Sequence, residues 1–269
     1  MWDFEHGVAG TKFDISYTIP SACAGDLRAR RADIGIIPAA AYTNVPDLVV
    51  IPNVAIAARR AVRSILLVGK GFADSTSKEQ WLSSLRSVAL DTSSMTSTAL
   101  VKILFAKWLG GARAYRAMAP DLDAMLRACD AALLIGDPAL EVDRARYFTL
   151  DLAEEWIART GKSFVFAFWA IRKEALARHD GEDVVRAFQK SRDHGLMPKN
   201  LERIAQDWAP RLGLTLGEVR TYLTQNIHYY LDPPCLEGLE LYYQLAAEIG
   251  ALPPAPRLEF LGVSARARV

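Results

Sequence analysis

Short apolar runs recur along the first two thirds of this chain, each separated from the next by residues with helix or turn patterning. A run of four to eight apolar residues has the length of a buried strand, and strands that alternate with helices pack as a parallel or mixed sheet with helical cover. The class that follows is α/β. The runs predict strands at Phe13 to Tyr17, Ile34 to Ile37, Leu48 to Ile51, Ser64 to Val68, Ser87 to Leu90, Ala131 to Ile135, Tyr147 to Leu150 and Phe164 to Ile171. From Lys173 onward the pattern is helix after helix, with apolar faces such as Leu201/Ile204/Trp208 and Leu239/Tyr242/Leu245/Ile249. Pro233-Pro234 and Pro253-Pro254 punctuate that region, and Arg257 onward reads as a tail.

Between the strands, Ser21 to Arg30 reads as a helix. A second begins at Ser77, which has the capping spacing with Gln80. Asp151 to Thr160 reads as another, closed by Gly161. The length of 269 residues is about two domains' worth or one large one. With 32 Lys+Arg against 31 Asp+Glu the net charge is +1, so no global field draws the protein to nucleic acid or to an anionic membrane. No apolar run approaches the ~18 residues of a membrane span. The opening Met1-Trp2-Asp3-Phe4-Glu5-His6 lacks the basic start and apolar core of a secretory signal, so the expected compartment is the cytoplasm.

Cys23, Cys129 and Cys235 are far apart and read as buried thiols. His6, His179, His194 and His228 show neither HxxxH nor HExxH spacing, so no metal centre is expected. Three strand ends carry the chemistry instead. After Val88-Ala89-Leu90-Asp91 comes the hydroxyl-rich loop Thr92-Ser93-Ser94-Met95-Thr96-Ser97 at a helix start. Unpaired N–H groups there, with Ser94, Thr96 and Ser97, make a socket for a carboxylate or phosphate. The same hydroxyls equally suit ordinary capping. A phosphate loop is disfavoured, because its glycines and G-K-[ST] ending are missing. The second strand end is Leu133-Leu134-Ile135-Gly136-Asp137-Pro138, where Asp137 would cap a helix and Gly136 would let backbone approach a ligand. The third is Ala32-Asp33-Ile34-Gly35-Ile36-Ile37-Pro38-Ala39-Ala40-Ala41-Tyr42, whose small side chains leave room for a ring or for tight packing.

Taken in order, Asp33-Ile34-Gly35, Val62-Arg63-Ser64-Ile65, Asp91 to Ser97, Leu133 to Asp137 and Phe164-Val165-Phe166-Ala167-Phe168-Trp169-Ala170 resemble the chorismate dehydratases of the futalosine route to menaquinone. The resemblance covers nearly the whole chain. It implies the two-lobed fold of type II periplasmic binding proteins with a ligand cleft between lobes. It also implies loss of water from chorismate to give 3-[(1-carboxyvinyl)oxy]benzoate, with no metal or organic cofactor. The substrate-binding residues it implies are Pro38, Ala39, Ser64, Ser94, Met95, Thr96, Ser97, Gly136 and Asp137, and no catalytic residue is assigned. The partner is the small-molecule substrate, with no nucleic acid and no membrane.

The sister enzyme, 1,4-dihydroxy-6-naphthoate synthase, is the nearest alternative. It carries a histidine base where this chain has Gly136, and it lacks the Phe164 to Ala170 segment. A non-catalytic small-carboxylate-binding protein is the other. The resemblance further implies an opening strand ending in an asparagine that lines the active site, in a segment ahead of Met1, whose lack would expose part of the first lobe's sheet. The lobes are expected to comprise residues 1–67 with 167–269, and residues 68–166, crossing near Leu66 and Phe168.

Overall fold

The computed structural model describes residues 1–7, 12–70, 77–178 and 180–262, so His179 lies outside the described residues. A short helix α1 (Trp2–His6) and α2 (Pro20–Arg28) precede β1 (Ile34–Pro38), a 3₁₀ turn (Ala39–Thr43) and β2 (Leu48–Ala58). Then come β3 (Ile65–Gly69), α3 (Lys78–Ser84), β4 (Ser87–Asp91), α4 (Thr96–Lys107), β5 (Ala114–Met118), α5 (Leu122–Ala128) and β6 (Ala131–Ile135). The order continues with α6 (Asp137–Leu140), β7 (Phe148–Asp151), α7 (Leu152–Thr160) and β8 (Phe164–Arg172). Helices α8 (Gly181–Gly195), α9 (Pro198–Leu212), α10 (Leu216–Thr221) and α11 (Pro233–Glu248) complete the chain, with a π-helical turn (Tyr222–Asn226) after α10. Among the described residues, no helix is long and apolar enough to cross a membrane.

Two sheets form. One has the order β1-β8-β2 and is antiparallel throughout. The other, β5-β4-β6-β3-β7, is mixed: β4 runs parallel to β5 and β6, while β3 runs antiparallel to β6 and β7. The chain changes sheet between Ala58 and Ile65 and returns before Phe164. β3 and β8 therefore each belong to one sheet, whereas boundaries at 67/68 and 166/167 pass inside them.

Two local expectations need correction, and one strand was not anticipated. Residues 13–17 join neither sheet. Phe13 packs its ring against Phe4 and Phe188 instead, and Tyr17 is exposed. β1 accordingly pairs only with β8 and is an edge strand. β5 carries Arg116 and a largely exposed surface at the opposite sheet's edge, so it lacks the apolar run that marks a central strand. Residues 257–262 form no free tail. Val50 N–H donates to the Glu259 carbonyl, Leu261 N–H donates to the Val50 carbonyl, and Leu261 is buried.

β8 shows why the most apolar run sits at the centre. Its alternate residues Phe164, Phe166, Phe168 and Ala170 enter the main core with Leu67, Leu100, Trp156 and Tyr242. Trp169 and Ile171 face the other way, onto Val184 and Phe188 of α8. At its start α11 lies so close that a Cβ on Gly238 would stand 1.9 Å from the Ser163 carbonyl oxygen. Only glycine allows that approach.

Candidate active site at the edge of the five-stranded sheet

Strand register brings the chemistry-bearing loops to one edge. Leu90 pairs with Leu133 in parallel and Ile65 with Ile135 antiparallel. The ends of β4 and β6 and the start of β3 therefore emerge together, carrying the 92–97 loop, Gly136 and Ser64. The residues facing them come from the other sheet, and Thr96 makes the junction. Its hydroxyl donates to the Phe166 carbonyl at 3.0 Å and accepts from Ala40 N–H at 3.1 Å. Pro38 and Ala39 are buried beside it, and the Ala39 carbonyl accepts from the Tyr243 phenol at 2.7 Å.

The start of α4 is open. Its N-cap position is Met95, and no side chain caps it. The N–H groups of Thr96, Ser97 and Thr98 and the hydroxyls of Ser94 and Ser97 meet no acceptor among the described residues. The side chain of Met95 packs, partly buried, on the main core. Ser94, Thr96 and Ser97 are only 7%, 3% and 3% exposed. The capping alternative thus drops out for these hydroxyls. An uncapped helix of twelve residues offers its positive end and spare N–H groups to an anion. The loop is held by Asp91, whose Oδ1 accepts from Ser93 N–H at 2.8 Å and from Ser93 Oγ at 2.6 Å. Asp91 Oδ2 is buried without a partner among the described residues.

On the β3 side, Ser64 is 4% exposed. Its carbonyl accepts from Gly136 N–H at 2.8 Å, and its Oγ accepts from the Tyr222 phenol at 3.0 Å. The segment before it is tightly held. Asp151 takes the N–H groups of Val62 and Arg63 at 3.2 and 2.6 Å, and Asn226 Nδ2 donates to the Ala61 carbonyl at 2.8 Å. Arg63 has φ +66°, and Arg144 Nη2 donates to its carbonyl at 2.9 Å. Burial and the neighbouring Arg63 charge push the Arg144 guanidinium below its ordinary value. Burial pushes the Tyr222 phenol up.

Gly136 has φ +65° and ψ −141°, with open space where a Cβ would sit. It also takes the N-cap position that the sequence suggested for Asp137, which stands exposed at the first helical position. The reason is geometric: the positive φ of Gly136 turns the chain one residue earlier. Sequence reasoning passed over Tyr222 and Arg144. Tyr222 lies in the helical third, where its spacing reads as an apolar helix face, and only the fold shows its partner.

Enclosed apolar space lies elsewhere. A cavity of 880 Å³ lies between α1, α8, α9 and the three-stranded sheet, lined by Trp2, Phe4, Ile36, Val54, Trp169 and Trp208 among others. Its buried polar groups are already used: Ser191 Oγ accepts from Asp3 N–H at 2.9 Å, and Arg192 donates to the Asn53 carbonyl. The free donors are at the sheet edge instead. His228, Asp232 and Cys235 bring ligand-capable atoms within 4.8 Å of one another. Asp232, however, is bound to His228 at 2.7 Å and to Arg59, and it caps α11 through Cys235 N–H. Burial, with the Asp232 charge, pushes the Cys235 thiol up to about 12.

The same arrangement of sheets is found in proteins of known structure. AF1704 of Archaeoglobus fulgidus superposes with a TM-score of 0.68 over 93% of each chain at 16% identity. The periplasmic aliphatic sulphonate binding protein SsuA of Escherichia coli gives 0.62 over 95% of this chain and 85% of that one at 14% identity. The fold is therefore that of the periplasmic binding proteins, as the resemblance implied. In sequence, the chain is 30% identical over 262 residues to a chorismate dehydratase of Thermus thermophilus, covering 91% of this chain and 89% of that protein. The sequence pattern of the menaquinone biosynthesis family matches residues 1–248, and this chain belongs to that family.

Proposed function

We propose that the protein dehydrates chorismate to 3-[(1-carboxyvinyl)oxy]benzoate, as a lyase of the futalosine route acting in the cytoplasm. The observation that carries this reading is the 30% identity, over nearly its whole length, to a chorismate dehydratase. The sheet edge supplies what such a substrate asks for. Chorismate carries two carboxylates, and the open α4 start with Ser94 and Ser97 suits one of them. The Ser64 corner, with Arg144 bound to the Arg63 carbonyl beside it, suits the other. Cleavage of one ring C–H bond leaves its electron pair in the ring, and the ring hydroxyl departs with that proton as water. The product is aromatic, so the protein's contribution is to orient the breaking bonds and exclude water.

The base in this reading is the substrate's own enolpyruvyl carboxylate. The described histidines support this, because each already has a partner: His6 with the Trp2 carbonyl, His194 with Asp3, and His228 with Asp232. Gly136 supports it over the sister reaction, since its positive φ and bare backbone leave no side chain to act as a base. The lobes of the enzyme are the two sheets with their helices, divided near Ala58 to Ile65 and near Phe164.

The test is direct. Chorismate is incubated with the protein and the aromatic product is followed by chromatography. Formation of 3-[(1-carboxyvinyl)oxy]benzoate is expected. Tight binding of chorismate without product would favour a small-carboxylate-binding protein, and turnover of cyclic dehypoxanthine futalosine alone would favour the sister enzyme.

A further inference from the structure

We infer that Tyr222 is a positioning residue, whose phenol holds Ser64 Oγ so that the serine hydrogen is presented to a carboxylate oxygen of the substrate. The inference rests on the reading of the sheet edge as the chorismate site and extends it to the helical third.

A serine hydroxyl has one hydrogen and two lone pairs. At Ser64 one lone pair is occupied by the Tyr222 phenol at 3.0 Å. The Ser64 carbonyl accepts from Gly136 N–H at 2.8 Å, which ties the serine to the end of β6. Among the described residues the Ser64 hydrogen has no acceptor, although the residue is buried. A buried donor without an acceptor is costly in the free protein and is satisfied when a ligand oxygen arrives. Arg144, whose Nη2 donates to the Arg63 carbonyl one residue ahead of the serine, makes an anionic oxygen the favoured acceptor.

The turn that carries Tyr222 is built to keep the phenol there. It is π-helical, closed by Ile227 N–H on the Tyr222 carbonyl at 3.2 Å. It is tied to the crossing segment at two points, Asn226 on the Ala61 carbonyl and Tyr222 on Ser64. Single π turns recur at functional positions, because the wider turn re-aims one side chain at the cost of regular bonding. Here the side chain it aims is Tyr222. The Asn226 Oδ1 is buried without a partner among the described residues.

The experiment compares the parent, Tyr222→Phe, Ser64→Ala and the double variant. Chorismate affinity is read by calorimetry, KM and kcat by product formation, and Tm by thermal melting. Tyr222→Phe should weaken chorismate binding roughly three- to tenfold, as expected for losing one neutral hydrogen bond, with the loss seen in Kd and KM more than in kcat. Ser64→Ala should weaken it roughly ten- to a hundredfold, the range for a bond to a charged group. The double variant should bind like Ser64→Ala, since the phenol acts only through the serine. Additive losses, or a lower Tm for Tyr222→Phe with unchanged affinity, would overturn the inference. A parent that binds chorismate without turning it over would overturn the proposed reaction, while the affinities of the four proteins would still decide the role of Tyr222. A parent that does not bind chorismate would overturn both.

Discussion

Thr96 and Ser97 are adjacent and chemically alike, yet the fold gives them different work. The Thr96 hydroxyl is spent on joining the two sheets, between the Phe166 carbonyl and Ala40 N–H. The Ser97 hydroxyl is unspent. Thr96→Val keeps the shape but strands one buried carbonyl and one buried N–H, so it should cost about 1 to 3 kcal/mol of stability. Ser97→Ala should leave Tm within a degree or two and weaken chorismate binding by about 1.5 to 3 kcal/mol if its hydroxyl meets a carboxylate. Melting curves and calorimetry on the two variants separate the roles. A Ser97→Ala protein that melts early and binds normally would assign the hydroxyl to structure. The hydroxyl-rich loop was legible in the sequence because hydroxyls and a helix start have local signatures. Which hydroxyl stays free was not, because Thr96 finds its acceptor on β8, 70 residues away, and Ser64 meets Tyr222 across 158 residues.

Local chemistry also made several element boundaries readable. Ser77 and Gln80 form the expected capping box, and Gly161 closes α7 in the left-handed conformation after Asp151 caps its start. Elements whose existence depends on neighbours were less legible. Residues 13–17 alternate like a strand but have no strand beside them, while β5 exists because β4 offers it a parallel edge. α7 also carries an electrostatic test. Burial alone would raise the Glu155 carboxyl, but Lys78 at 2.5 Å and Arg159 at 2.8 Å outweigh it and hold it below the usual carboxylate range. Because the folded value is lowered, the contribution is complete above the ordinary carboxylate pKa and is lost as pH falls through the lowered folded value. Glu155→Gln should therefore cost about 1 to 2 kcal/mol at neutral pH, since both cations are partly exposed. Melting curves of parent and variant should converge in acid, and a constant gap down to pH 3 would show that Glu155 acts through packing.

At the scale of the whole molecule, the periodic alternation of apolar runs and helices was enough to reach the class, and ordered motifs pointed to the two-lobed fold. The central claim is that the working site is the edge where Ser64, the α4 start and Gly136 meet, rather than the apolar cavity bounded by Trp208. The most direct measurement is kcat/KM for chorismate in the parent, Ser64→Ala/Ser97→Ala and Trp208→Ala, with Tm recorded for each. The double variant should fall at least about a hundredfold with little change in Tm, since it removes two donors to anionic oxygens, while Trp208→Ala should stay within about twofold. A large loss in Trp208→Ala, alongside an unaffected double variant, would contradict the account and move the site to the cavity.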